Sequence, residues 1–170
     1  MSQIQIYVAC LAAYNAGHLH GEWIDVTQDI DEIQAQINTM LKNSPVEDAE
    51  EYAIHDTDGF EGCPISEYQN IQSVQQIALF IEQNEPVATL LLNHFCGDLE
   101  DSTKALKYHY HGSHKSLADY AQELTEDSTQ IPKHLAPYID YERMGCDMEL
   151  GGDVYTIKEN YKTIHVFINH

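Results

Sequence analysis

The sequence predicts an α+β fold, elongated and built from three small modules. Three observations carry this expectation. Apolar residues alternate with period two at both ends of the chain, repeat at helical spacing through its middle, and are divided by Gly, Pro and Asn-rich turns. The module boundaries fall at residues 1–61, 62–103 and 104–170.

In the first module Ile4, Ile6 and Val8 alternate with Gln5, Tyr7 and Ala9, which predicts a strand over about 3–10 with one buried face. Tyr14-Asn15-Ala16-Gly17 supplies turn chemistry, and Leu19 to Val26 returns as a second strand, a hairpin-like start. Thr27 or Asp29 caps a helix whose Ile30, Ile33, Ile37 and Leu41 lie three or four apart, until Asn43-Ser44-Pro45 stops it. Glu51 to Asp56 reads as a third strand before the Asp58-Gly59 turn.

From Ser66 the spacing is helical. Ile71, Val74, Ile77, Ala78 and Ile81 line one helix; Pro86 opens another through Leu90, Leu91 and Phe95, with Gly97 as its stop. A third helix is expected from Asp98 to about Tyr108, then helix end and loop through His114. A fourth starts at Ser116, whose hydroxyl caps it with Asp119 three residues on. A shorter helix over about 134–144 tolerates Pro137 in its first turn. Strands Asp153–Lys158 and Ile164–Asn169, joined across Glu159-Asn160-Tyr161-Lys162, end the chain, with no internal repeat or low-complexity linker.

Charge sets the function classes. There are 28 acidic residues against 8 basic ones, a formal net charge of −20, and Arg143 is the only arginine. Such a chain repels nucleic acid and anionic membrane and is steered toward basic clefts. The charge is graded along the modules: −11 over residues 1–61, −6 over 62–103 and −3 over 104–170. Hydrophobic residues make up 43%, which argues for a folded chain over a disordered acidic tail. No apolar stretch approaches the ~20 residues of a membrane span and the N-terminus lacks a basic signal region, so a cytoplasmic protein is expected. Cys10, Cys63, Cys96 and Cys146 form no CxxC pair and are expected as buried, reduced thiols.

Catalytic signatures are missing: no GxSxG, P-loop, GxGxxG or HExxH occurs. His109, His111 and His114 lie within six residues, yet a helix end or loop does not converge them, and the expectation is a solvated polar turn without metal. His18 and His20 straddle Leu19 and read as exposed strand residues. Carboxylate pairs such as Asp31-Glu32, Glu50-Glu51 and Glu126-Asp127 are too numerous for acid–base catalysis, which uses one or two buried groups. No enzyme activity and no cofactor are expected. A metal-dependent enzyme using His109 and His111, and a generic acidic interaction module, are the competing classes.

What remains is the carboxylate surface. B-DNA carries about one negative charge per ~1.7 Å of axis, and its binders gain much of their affinity from phosphate contacts. Carboxylates on exposed faces can occupy the same basic groove. The residues expected to form that surface are Glu22, Asp25, Asp29, Asp31, Glu32, Glu47, Asp48, Glu50, Glu51, Asp56, Asp58 and Glu61 in the first module. Glu67, Glu82, Glu85, Asp98, Glu100 and Asp101 continue it in the second, and Asp119, Glu123, Glu126 and Asp127 in the third.

Several segments support this direction. Ile6-Tyr7-Val8-Ala9-Cys10-Leu11-Ala12-Ala13-Tyr14-Asn15-Ala16-Gly17, continued by His20-Gly21-Glu22-Trp23-Ile24-Asp25, resembles the opening of the ArdA antirestriction family. Tyr52-Ala53-Ile54-His55-Asp56 with Gly59-Phe60 resembles its next hallmark. Tyr138-Ile139-Asp140-Tyr141-Glu142, Met148-Glu149 with Gly152-Asp153, and Val166-Phe167-Ile168-Asn169-His170 are similar to its C-terminal part. The resemblance implies a curved homodimer of three modules per chain that imitates bent B-form DNA. It also implies a partner, the specificity and methyltransferase subunits of a type I restriction–modification enzyme, and carriage on a mobile genetic element. Leu124 to Glu142 resembles the family's antirestriction motif. The sequence departs from the family at 104–115, where Lys104, Lys107, Lys115 and three histidines interrupt the acidic character. The near-balanced charge of 104–170, with the family precedent, places the dimer contact there. Leu135, Tyr138, Ile139 and Met144 are its candidate residues, with the core as the expected place of any one of them.

Overall fold

The structure, a computed structural model, describes residues 3–169. Met1, Ser2 and His170, the last residue of the C-terminal motif, lie outside the described residues. The fold is α+β, and the chain divides into two compact units, Met1–Thr89 and Leu90–His170.

In the first unit the alternation of Ile6 and Val8 with Tyr7 produces β1, Gln5–Cys10, at the centre of an antiparallel sheet. Its neighbours are β2, Gly21–Asp25, and β3, Tyr52–Asp58. Ile6, Val8, Ile24 and Ile54 share the buried face by register, against helix α2, Ile30–Lys42, which contributes Ile33, Ile37, Met40 and Leu41. Of the two expected caps, Asp29 is the one used: its carboxylate accepts from the Asp31 amide. The first connection differs from a tight hairpin. A short helix α1, Leu11–Asn15, stands between β1 and β2; the Cys10 thiol caps it and Gly17 closes it at φ +82°. The second strand accordingly begins at Gly21 rather than Leu19, which is 92% exposed. His18 and His20 are therefore loop residues, and His20 donates from Nε2 to the Met40 carbonyl at 2.7 Å.

Helix α3, Ile71–Asn84, buries the stripe Ile71, Val74, Ile77, Ala78 and Ile81, as its spacing requires, and is capped by Asn70. Gln75 donates to the Gln28 carbonyl at 2.7 Å, tying α3 to the turn before α2. Helix α4, Val87–His94, follows Pro86, and Gly97 ends it at φ +87°, donating to the Leu92 carbonyl. The division between the compact units falls inside α4.

The second unit departs further from expectation. The helical stretch from Asp98 has the expected extent but changes form: α5 covers Leu99–Lys104, and a five-residue π-helical turn, Ala105–His109, continues it. The segment expected as loop is strand β4, Tyr110–His114, which pairs with the last strand. Helix α6, Leu117–Ser128, has the expected cap, with Ser116 Oγ accepting from the Asp119 amide and donating to its carboxylate. No helix runs over 134–144. Pro137 allows only a 3-10 turn, Ala136–Tyr138, and the Asp140 carboxylate starts α7, Tyr141–Leu150, by accepting from the Arg143 amide. Strands β5, Val154–Asn160, and β6, Thr163–Ile168, complete a sheet of order β4-β6-β5. Tyr120, Val154 and Val166 form its core with Leu117, Met148, Ile164 and Ile168 packed around them. An aromatic stack, His94 on Tyr155 and Tyr155 on Phe167, extends it. Cys10 and Cys63 are buried thiols as expected, whereas Cys96 and Cys146 are exposed because they fall on the outer sides of a helix terminus and of α7.

Candidate functional site

Amphipathic geometry turns the acidic excess into a surface. Because α2 buries Ile33 and Ile37, Asp31 and Glu32 face solvent in its first turn, where carboxylates also complement the helix dipole. The loop from α2 to β3 holds Glu47, Asp48, Glu50 and Glu51 in solvent. Glu22 lies on β2, Asp56 and Asp58 on β3, Glu61 and Glu67 in the segment after it, and Glu82 and Glu85 at the end of α3. In the second unit Asp98, Glu100 and Asp101 crowd the start of α5, and Asp119, Glu123, Glu126 and Asp127 lie along α6. All of the expected carboxylates are exposed except Asp25, which is half-buried.

Some of these groups also hold backbone. Asp25 Oδ1 accepts from the Thr27 amide at 2.8 Å and its hydroxyl at 2.7 Å; Asp29, Asp98 and Asp119 cap helices. Lys104, one of the cations interrupting the acidic run, is held by Glu100 at 2.6 Å, and this bond raises its pKa. The first unit sets fifteen acids against Lys42 alone, and the second thirteen against seven bases. The Glu67 charge, then desolvation, a hydrogen bond to Glu67 and the Glu51 charge raise the Tyr68 pKa.

The sheet of the first unit has an open face that sequence reasoning did not single out. Opposite pairing places Gln5 between Asp25 and Asp58, and Tyr7 between Trp23 and Asp56, on the side away from Ile6 and Val8. Trp23 is 43% exposed, with its ring 5.5 Å from that of Tyr7. The alternation in β1 was the available signal, because it assigns Gln5 and Tyr7 to this face.

Three histidines of the second unit make structural contacts. Tyr120 bonds His111 Nδ1 at 2.9 Å, and His114 donates from Nε2 to the His111 carbonyl and lies 3.4 Å from Glu123. His165, buried in β6, accepts from the Tyr110 hydroxyl at 2.8 Å and donates to Glu159 at 3.0 Å. Burial, then the Glu159 charge, raise the Tyr110 pKa. Among the described residues no three His, Cys, Asp or Glu side chains converge on a position that could hold a metal ion. No helix among them is long and apolar enough to cross a membrane.

Of the candidate dimer residues, Leu135 and Tyr138 are 48% and 84% exposed, so the core expected for each is not where they lie. The 3-10 turn that replaces the helix projects them outward. Ile139 and Met144 are half-buried, and Met144 receives a hydrogen bond from Thr125 at 3.4 Å.

The family model for ArdA, described as antirestriction protein, matches residues 6–163. The chain belongs to the ArdA antirestriction family. Comparison with curated proteins yields no match. The ArdA match runs through both sheets and every helix, from Ile6 in β1 to Thr163 at the start of β6, so it covers the carboxylate surface of both units.

Proposed function

We propose that the chain is a DNA mimic. It occupies the DNA-binding groove of the specificity and methyltransferase subunits of a cytoplasmic type I restriction–modification enzyme, inhibits restriction and modification, and catalyses nothing itself. The observation that carries this reading is the exposure of the carboxylates on a unit with a single lysine. A groove that binds phosphate with Lys and Arg binds this surface for the same Coulombic reason, and without base edges to read the inhibitor has no sequence preference. The exposed Leu135 and Tyr138, in the less acidic second unit, support a homodimer contact, since apolar side chains meet there at a smaller electrostatic cost.

The test is competition. Purified protein titrated against a type I methyltransferase core on unmodified DNA should raise the apparent Kd for DNA in proportion to its concentration. Its own affinity should fall less steeply with salt than that of the duplex, because it releases fewer condensed counterions. Inhibition that excess DNA cannot reverse contradicts the proposal, and binding to basic proteins without inhibition assigns the chain to generic acidic modules.

A further inference from the structure

The open face of the first sheet is built around an exposed aromatic pair. Trp23 leaves 43% of its surface in solvent although an indole is among the largest apolar groups a chain can bury. It packs at 5.5 Å and 56° on Tyr7, and Tyr7 is seated on Gly21. A Cβ at position 21 would stand 2.8 Å from the Tyr7 ring and 2.5 Å from the Val8 carbonyl oxygen, so only glycine lets the phenol lie this close to the sheet. Asp25 follows Trp23 on the same face, about 7 Å along the strand, and its position is fixed by two hydrogen bonds from Thr27. Asp56 stands opposite Tyr7 and Asp58 opposite Gln5. None of the three strands carries a lysine or arginine.

A π-face bordered by positioned carboxylates selects among cations. A guanidinium is planar, weakly hydrated and carries its donors in the ring-parallel plane, so it stacks on an indole and reaches a carboxylate at the ring edge together. An ammonium is a hydrated point charge and gains less from the ring. We propose that this face anchors an arginine of the basic partner, stacked on Trp23 and paired with Asp25, with Asp56 and Asp58 adding to the attraction. The inference rests on the DNA-mimic reading for the identity of the partner. It departs from charge imitation, because a phosphate presents no stacking face. Trp23 is then an energetic centre among many weaker carboxylates, as aromatic residues commonly are at interfaces.

Trp23 is the chain's one tryptophan, so its fluorescence reports on this face alone. Short peptides of arginine or of lysine, equal in charge and free of aromatic residues, serve as probes. The arginine peptide should perturb Trp23 emission at about ten-fold lower concentration than the lysine peptide. Equal response to both overturns the site. In the inhibition assay Trp23→Leu should weaken binding about ten-fold while Asp31→Asn changes it less than about two-fold. Unchanged inhibition by a folded Trp23→Leu overturns the anchor and leaves mimicry standing. Should that variant fold poorly, Trp23→Phe carries the test: an intermediate loss supports the anchor and no loss overturns it. Failure of the unaltered protein to inhibit rejects the functional reading, while the peptide titration still decides the arginine site.

Discussion

Tyr14 packs edge-on against His55, ring centroids 4.9 Å apart at 82°, and so joins the two N-terminal family motifs across the first unit. Tyr14 comes from α1 and His55 from β3, where a register shift leaves His55 between the Tyr7↔Asp56 and Val8↔Ile54 pairs. Such a bulge re-aims one side chain, here toward Tyr14 and to within 3.7 Å of Glu67. A double-mutant cycle of Tyr14→Ala and His55→Ala should return a coupling of about 0.5–1.5 kcal/mol in unfolding free energy. Strict additivity would show the contact to be energetically idle.

Inhibition should depend on summed charge outside the aromatic anchor. Reversing Glu47, Asp48, Glu50 and Glu51 to Lys together changes an exposed loop by eight charge units and should abolish most inhibition without lowering Tm. Asp25→Asn keeps an oxygen acceptor for Thr27 and removes the charge beside Trp23, so a partial loss of inhibition, smaller than that of Trp23→Leu, is expected. Complete loss of inhibition in folded Asp25→Asn would replace distributed binding with a single essential contact.

Gly145 sets the approach of α7 to α6. A Cβ there would lie 2.7 Å from the Leu117 carbonyl oxygen and 2.8 Å from its Cβ, and backbone cannot yield as a flexible side chain does. Gly145→Ala should therefore destabilise the protein by about 1–3 kcal/mol in urea titration, outweighing the alanine's better helix propensity. A stabilised variant would mean that the helices part at little cost.

Alkaline pH should loosen the second unit. Burial raises the pKa of Tyr120 and Tyr155 above 10.0, and burial with Glu159 raises that of Tyr110. With folded values above unfolded ones, the native state keeps these protons longer. Their stabilisation is whole below the unfolded value and is lost as pH rises through the folded values. Tyr155→Phe removes one such group, so its Tm should fall less than that of the unaltered chain between about pH 9 and about pH 11. Identical falls would exclude Tyr155 from the transition.

Association is tested at the 3-10 turn. Leu135→Asp with Tyr138→Asp adds charge at two exposed side chains and should convert the proposed homodimer to monomer in light scattering with Tm little changed, and a monomeric unaltered chain would reject the proposed contact. An unaltered mass would place the contact elsewhere.

Elements whose determinants lie within a few residues of one another were legible before any tertiary contact was known. Period-two alternation placed β1, the spacing of Ile33, Ile37 and Leu41 placed α2, and Asp29 and Ser116 marked helix starts because their side chains satisfy orphan amides within a few residues. The acidic gradient and the ArdA motifs were equally open to reading, since charge count and motif order need no coordinates. Tertiary structure decided what depends on distant partners. The strand Tyr110–His114 exists because β6 supplies its hydrogen bonds, in a segment whose own pattern resembles a helix end. Pro137 moved the last helix to Tyr141–Leu150, where Gly145 meets Leu117 from another helix. Trp23 became an exposed neighbour of Tyr7, with Asp56 on the far side of that tyrosine, only when β1, β2 and β3 were laid side by side. Burial and adjacency are properties of paired surfaces, and a side chain's chemistry does not state which surface it will meet.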